Sequence, residues 1–320
     1  MNEASSKFVD NLAMDKLLKE KLKKVNHSPK HSMFVPVEGL FKNINNILNV
    51  AKVNYYRDNS THRRIEIPSF ESTAHYSENN TVYLYNYPAM NAERNVLFVH
   101  GLFDDSMLNY EYLFKLLNDF NINVYFMTMP YHFNRKPKTS LFSGEYFLSA
   151  DIFRTQNAFK QAVLDIDASL QFIRNENSFP NVIVGFSMGG CVSLRHYILS
   201  KQEIPTFLIN PVTDFCEVLW DSPLFVTIGK DLINSGYDVD KCKKFFVEMD
   251  PSNFIDGSFK SDKIAIVYSS YDQVINEKKY KKFISRTGIS STYAYHSGHL
   301  NVLRVPKLAK DISDFAAKVL

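Results

Sequence analysis

From residue 95 onward the chain alternates short, unbroken apolar runs with longer stretches whose apolar positions recur every three or four residues. The runs at 95–100 (Asn-Val-Leu-Phe-Val-His), 122–129, 181–185, 206–210, 264–268 and 291–295 predict strands buried on both faces. The segments 110–120, 151–175, 188–201, 277–285 and 300–319 predict helices. In 151–175, Phe159, Val163, Ile166, Leu170 and Ile173 lie on one face. Strands and helices in alternation predict an α/β fold, a mostly parallel sheet with helices on both faces. Two earlier segments, 64–70 and 81–87, alternate with period two and predict an antiparallel edge pair.

Two regions depart from this rhythm. Residues 214–256 interrupt it with their own apolar set, Trp220, Phe225, Leu232, Phe245 and Phe246, and predict a helical cap. Upstream, residues 5–25 are polar apart from Phe8, Leu12, Leu18, Leu22 and Val25, a helical stripe. A break follows at 26–30 (Asn-His-Ser-Pro-Lys) and a second helix is predicted over 40–53. The expected organisation is an N-terminal helical extension, 1–63, and one α/β domain, 64–320, with the cap inserted at about 214–256.

Composition narrows the class. Of 320 residues, 45% are hydrophobic and 22% charged, which excludes a disordered chain, a collagen-like repeat or a coiled-coil rod. A net charge of +3 is too small for a nucleic-acid footprint. Cys191, Cys216 and Cys242 are too few and too scattered for a disulfide framework or a zinc site. With no apolar run long enough to span a bilayer and no secretory h-region, a cytoplasmic protein is expected. Lys16, Lys19, Lys21, Lys23 and Lys24 make the first helix basic. Asp10, Asp15 and Glu20 dilute that charge, so the helix is expected to pack on the body or pair with a second copy rather than lie on a membrane.

The sharpest chemical signal is Gly185-Phe186-Ser187-Met188-Gly189-Gly190, a G-x-S-x-G pattern between a predicted strand and a predicted helix. Glycines two residues either side of the serine allow the abrupt turn that pushes a hydroxyl out at the end of the sheet. The N–H of Met188, at a helix N-terminus, is then placed to stabilise an oxyanion. A serine hydroxyl needs a base, and the base an orienting acid. His296 and His299 follow a late strand in Tyr-His-Ser-Gly-His-Leu; Gly298 lets His299 turn back over the sheet edge, and His299 is favoured as base. The acid is Asp272, just past the preceding strand, or Asp214. A second oxyanion donor is expected from the loop His100-Gly101-Leu102-Phe103-Asp104-Asp105, at Leu102, with His100 as a structural hydrogen-bonder.

The order Ser187, Asp272, His299, with His100-Gly101 upstream, resembles the α/β-hydrolase superfamily from about residue 64 to the C-terminus. The resemblance implies an eight-stranded, mostly parallel sheet, a Ser-His-Asp triad and no metal or organic cofactor. The segment Met-Pro-Tyr131-His132-Phe-Asn-Arg135-Lys-Pro resembles a loop after the fourth strand in a poorly characterised group of hydrolases, which implies Tyr131, His132 and Arg135 near the pocket mouth, with His100, Gly101, Phe103 and Phe186. A salt-bridged surface loop is the equal alternative. The cap matches no subfamily. The expected activity is cleavage of a small-molecule carboxylic ester through an acyl-enzyme. A peptidase, thioesterase or acyltransferase uses the same triad, and a non-catalytic binding protein is the reading from a different class. An aminoacyl-releasing peptidase would need an acidic anchor for the substrate amine, for which Glu145 and Glu217 are the candidates.

Overall fold

In a computed structural model, residues 2–24, 47–49, 52–56, 62–71, 75–201 and 203–320 are described. The break at 26–30 and most of the predicted helix at 40–53 lie outside them. Among the described residues nine strands, β1 (Asn54–Tyr56), β2 (Arg63–Pro68), β3 (Thr81–Tyr87), β4 (Arg94–Val99), β5 (Ile122–Met127), β6 (Asn181–Phe186), β7 (Thr206–Ile209), β8 (Ile264–Ser269) and β9 (Ser291–Tyr295), form one sheet in the order β1-β2-β3-β5-β4-β6-β7-β8-β9. The six strands β4, β5, β6, β7, β8 and β9 are parallel. β2 and β3 form the expected antiparallel pair, and β3 joins β5 antiparallel.

The unbroken apolar runs follow from burial on both sides. In β4, Leu97 and Val99 belong to one core cluster and Val96 and Phe98 to the other. Helices α3 (Ile152–Glu176) and α4 (Met188–Leu199) pack over the first cluster. Helices α2 (Leu108–Asp119) and α9 (Lys307–Val319) pack over the second. Between β7 and β8, residues 214–256 hold the short helices α5 (Phe215–Asp221), α6 (Val226–Asn234) and α7 (Val239–Phe245). Helix α8 (Glu277–Thr287) follows β8.

Three expectations change. Among the described residues the sheet has nine strands rather than eight, because β1 (Asn54–Tyr56), a short exposed strand, adds antiparallel to β2. The sheet therefore starts inside the stretch read as a helical extension. The last predicted helix, 300–319, is split: a 3-10 turn at Asn301–Arg304 stops short of Pro306, and α9 begins after it. Proline disfavours helical backbone in the residue before it. Thirdly, α1 (Glu3–Glu20) packs through Ser6, Asp10 and Met14, while Phe8 and Leu12 face solvent. The predicted stripe thus divides: Phe8 and Leu12 do not pack, whereas Leu18 packs half-buried and Leu22, just past the helix, is fully buried.

β5 and β6 flank β4 on opposite sides, so the strand order reverses at β4. In open α/β sheets the crevice outside the strand ends at such a point is where ligands bind. The loops leaving β4 and β6 carry Gly101-Leu102 and Ser187.

Candidate active site

Ser187 is set by its backbone. It sits between the last residue of β6 and the first of α4 at φ 54°, ψ −117°, a region costly for a residue with a Cβ. The turn is held by backbone hydrogen bonds: Ser187 N–H donates to the Ile209 carbonyl (2.9 Å), and the Ser187 carbonyl accepts from Cys191 (3.2 Å) and Val212 (3.1 Å). The close approach behind it requires Gly189, where a Cβ would collide with the carbonyls of Val99 and His100. Gly189→Ala should therefore lower stability by about 1–3 kcal/mol or more, the usual cost of overpacking. Urea unfolding midpoints against the unmodified protein would measure it, and an unchanged midpoint would refute the close approach.

His299, from the loop after β9, reaches this hydroxyl, and Asp272, from the loop after β8, reaches His299. His299 Nε2 lies 2.9 Å from Ser187 Oγ. Its Nδ1 lies 2.7 Å from Asp272 Oδ2. The carboxylate fixes the tautomer: Nδ1–H donates to Asp272, leaving Nε2 to accept from the serine. Asp272 is held in turn. Its Oδ1 accepts from Val274 N–H and Ile275 N–H (both 2.8 Å), and its Oδ2 accepts from Tyr280 Oη (3.0 Å). Burial pushes the His299 pKa down, but the Asp272 charge and hydrogen bond, with Asp10 and Asp104 behind them, more than offset this. The net shift is upward. The runner-up residues lie elsewhere. Asp214 caps α5, accepting from Glu217 N–H at 2.7 Å, and His296 is exposed, against Tyr271.

A cavity of about 90 Å³ opens over Ser187 and His299. Gly101, Leu102 and Phe186 line it from the strand ends, and Val218, Leu224 and Phe225 from the cap segment. Met188 also lines it; as the first residue of α4 its N–H has no partner inside the helix. The amides either side of Leu102 are engaged: Gly101 N–H donates to Tyr110 Oη (3.1 Å) and Phe103 N–H to His132 Nε2 (3.2 Å).

The expected pocket group divides. Gly101 and Phe186 line the cavity, whereas His100, Phe103, Tyr131, His132 and Arg135 do not. His100 and His132 are fully buried props behind the loop. His100 Nε2 accepts from Met129 N–H (3.0 Å) while its Nδ1–H donates to the Gly101 carbonyl (2.7 Å). His132 Nδ1–H donates to the Pro130 carbonyl (2.8 Å). Burial holds both rings neutral, His132 down at about 3. Arg135 is salt-bridged, but in the interior and not in a surface loop: its guanidinium, fully buried, meets Asp165 at 2.7 Å and donates to the carbonyls of Thr128 (2.9 Å) and Asn79 (2.8 Å). Glu145 accepts from Ser140 and Leu141, and Glu217 pairs with Lys279 at 2.9 Å. Neither glutamate lines the cavity.

Sequence reasoning missed three residues here. Tyr280 supports Asp272. Asp104 lines the cavity; its carboxylate accepts from Tyr110 Oη, and burial raises its pKa to about 7. The third is Asp10 on α1. Its carboxylate is 1% exposed and accepts from three backbone amides, His299 (2.6 Å), Leu300 (3.1 Å) and Gln273 (3.3 Å). No local pattern marks a residue that acts on a loop hundreds of positions away.

No protein-family model and no curated protein sequence matches the chain. Solved structures do. The acylaminoacyl peptidase of Pyrococcus horikoshii superposes with a TM-score of 0.58 at 13% identity, over 81% of this chain and 42% of that one. Est1E from Butyrivibrio proteoclasticus, with ferulic acid bound, superposes at 0.55 and 12% identity, over 74% of this chain and 95% of that one. A thermostable carboxyl esterase from Bacillus coagulans gives 0.52 at 13%, over 82% and 99%. At such identities the likeness is one of fold, and the chain has the α/β-hydrolase fold.

Proposed function

We propose that the protein is a serine hydrolase that cleaves carboxylic esters. The observation that carries this is the unbroken hydrogen-bonded series Ser187–His299–Asp272 at the end of a parallel sheet. Ser187 Oγ attacks the ester carbonyl as His299 Nε2 takes its proton, and Asp272 stabilises the imidazolium. The N–H groups of Met188 and Leu102 stabilise the oxyanion. His299 returns the proton to the departing alcohol, and water, deprotonated by the same imidazole, releases the acid. A cavity walled mainly by apolar side chains suits an ester better than the polar backbone of a peptide. The two glutamates available to anchor a substrate amine are engaged elsewhere, which also favours an ester over an aminoacyl peptide.

The test is covalent labelling. A fluorophosphonate should modify the protein at Ser187, as mapped by mass spectrometry, and p-nitrophenyl esters should be turned over. Because the base must be neutral and its pKa is raised, the rate should rise with pH along a limb centred above the ordinary histidine value of about 6.5. A protein that is not labelled and turns over no ester is a binding protein on the same fold. A limb centred below that value contradicts the aspartate-supported imidazole.

A further inference from the structure

Helix α1 lies across the cavity. Ala13, Met14 and Leu17 form the wall of the cavity that α1 contributes, with Asp10 beside them. The helix is fastened at two places. Asp10 accepts the three amides of the His299 and Gln273 loops, and Lys21, just past the helix end, meets Asp105 of the loop after β4 at 2.8 Å. The loop is shaped for the carboxylate: a Cβ at residue 298 would stand 2.7 Å from Asp10 Oδ2, so Gly298 supplies the space Asp10 fills.

We propose that α1 is a substrate-selecting lid. Met14 and its neighbours limit the enzyme to short aliphatic acyl groups, and Asp10 is a positioning residue that fixes the loop bearing His299. This rests on the serine hydrolase reading above. The size argument is direct. A cavity of roughly 150 Å³ lined by apolar side chains holds one benzene. The space here is about 90 Å³, so beneath a seated α1 it admits an acyl group smaller than a benzene ring. The acyl group remains on Ser187 after the alcohol has left, so the space walled by α1 selects on the acyl side. Aryl or long acyl groups require α1 to lift, which breaks the Asp10 contacts and releases the His299 loop.

The experiment compares p-nitrophenyl acetate, butyrate and octanoate on the full-length protein and its Met14→Ala, Asp10→Asn and Gly298→Ala variants. Rates are expressed per site titrated with fluorophosphonate, so that partly unfolded protein does not count. Wild type should prefer acetate or butyrate. Met14→Ala, which keeps a strong helix former in α1, should raise the octanoate-to-acetate ratio of kcat/KM by about tenfold or more, the size expected of a methylene-scale change in a pocket. Asp10→Asn should lower kcat for acetate by about tenfold or more with KM unchanged, since small misplacements of a catalytic group cost up to about 10² in rate. Gly298→Ala, which expels the carboxylate while leaving α1 intact, should do the same. In both, amide hydrogen exchange at residues 299 and 300 should accelerate. A labelled, active wild type whose chain-length ratio is unmoved by Met14→Ala, with kcat and exchange unmoved by Asp10→Asn, overturns the lid alone. A wild type that neither labels nor hydrolyses overturns the hydrolase reading.

Discussion

Ser187→Ala should abolish ester turnover, lowering kcat by about 10⁶, the scale on which removing a triad nucleophile acts. The fold should survive the change. The hydrogen bonds that hold the turn come from the backbone of residue 187 and remain in place. The strain at φ 54° is that of any residue with a Cβ, and alanine carries it as serine does. What is lost is the oxygen within 2.9 Å of His299 Nε2. The measurement is a p-nitrophenyl ester assay beside a thermal unfolding curve. Residual rates within about tenfold of wild type at an unchanged melting temperature would mean that another group performs the attack.

Arg135→Met should destabilise the protein by about 3–5 kcal/mol, the cost of removing one partner from a buried ion pair. Both charges are completely inaccessible to water. Asp165 already has its pKa raised by burial, against which the Arg135 charge and hydrogen bonds from Ser69 and Arg135 act. Without the guanidinium that opposition largely disappears, and the carbonyls of Thr128 and Asn79 each lose a donor. At about 2–4 °C per kcal/mol for a domain of this class, the melting temperature should fall by roughly 10 °C. The loop concerned also carries His132, the acceptor for Phe103 N–H, so the proposed esterase activity should fall with it. A double variant, Arg135→Met with Asp165→Leu, should regain most of the stability, because an apolar replacement of both partners removes the stranded charge. A single variant that melts within about 2 °C of wild type would show that Asp165 is adequately solvated without its partner.

The parallel strands were legible because burial on both faces leaves a continuous apolar run, and the Ser187 turn because its glycines are a steric necessity within a few residues. His299 and Asp272 could be placed from the ends of those strands. The missed features have a common cause. Tyr131, His132 and Arg135 form a polar cluster whose chemistry is the same at a pocket mouth or buried behind it; only the packing of α3 and β3 decides. The α1 stripe held at Leu18 and Leu22 and failed at Phe8 and Leu12, because the first half of the helix packs through Ser6 and Asp10, positions that hydrophobicity counts as outward. β1, three exposed residues, has no buried alternation to read. Asp104 and Tyr280 look like ordinary loop and helix residues until the sheet brings them beside Gly101 and Asp272.

The sequence separation of 289 between Asp10 and His299 has a consequence for biosynthesis. Ribosomes add about 5–20 residues per second and proteins begin to fold from the N-terminal side as they emerge, so the carboxylate is made roughly 15–60 s before the amides it will hold. Throughout that interval the His299 and Leu300 amides are missing and the Asp10 carboxylate is still hydrated on that side. The proposed hydrolytic centre is therefore assembled as a late event of translation, and a nascent chain halted before residue 299 carries Ser187 without His299.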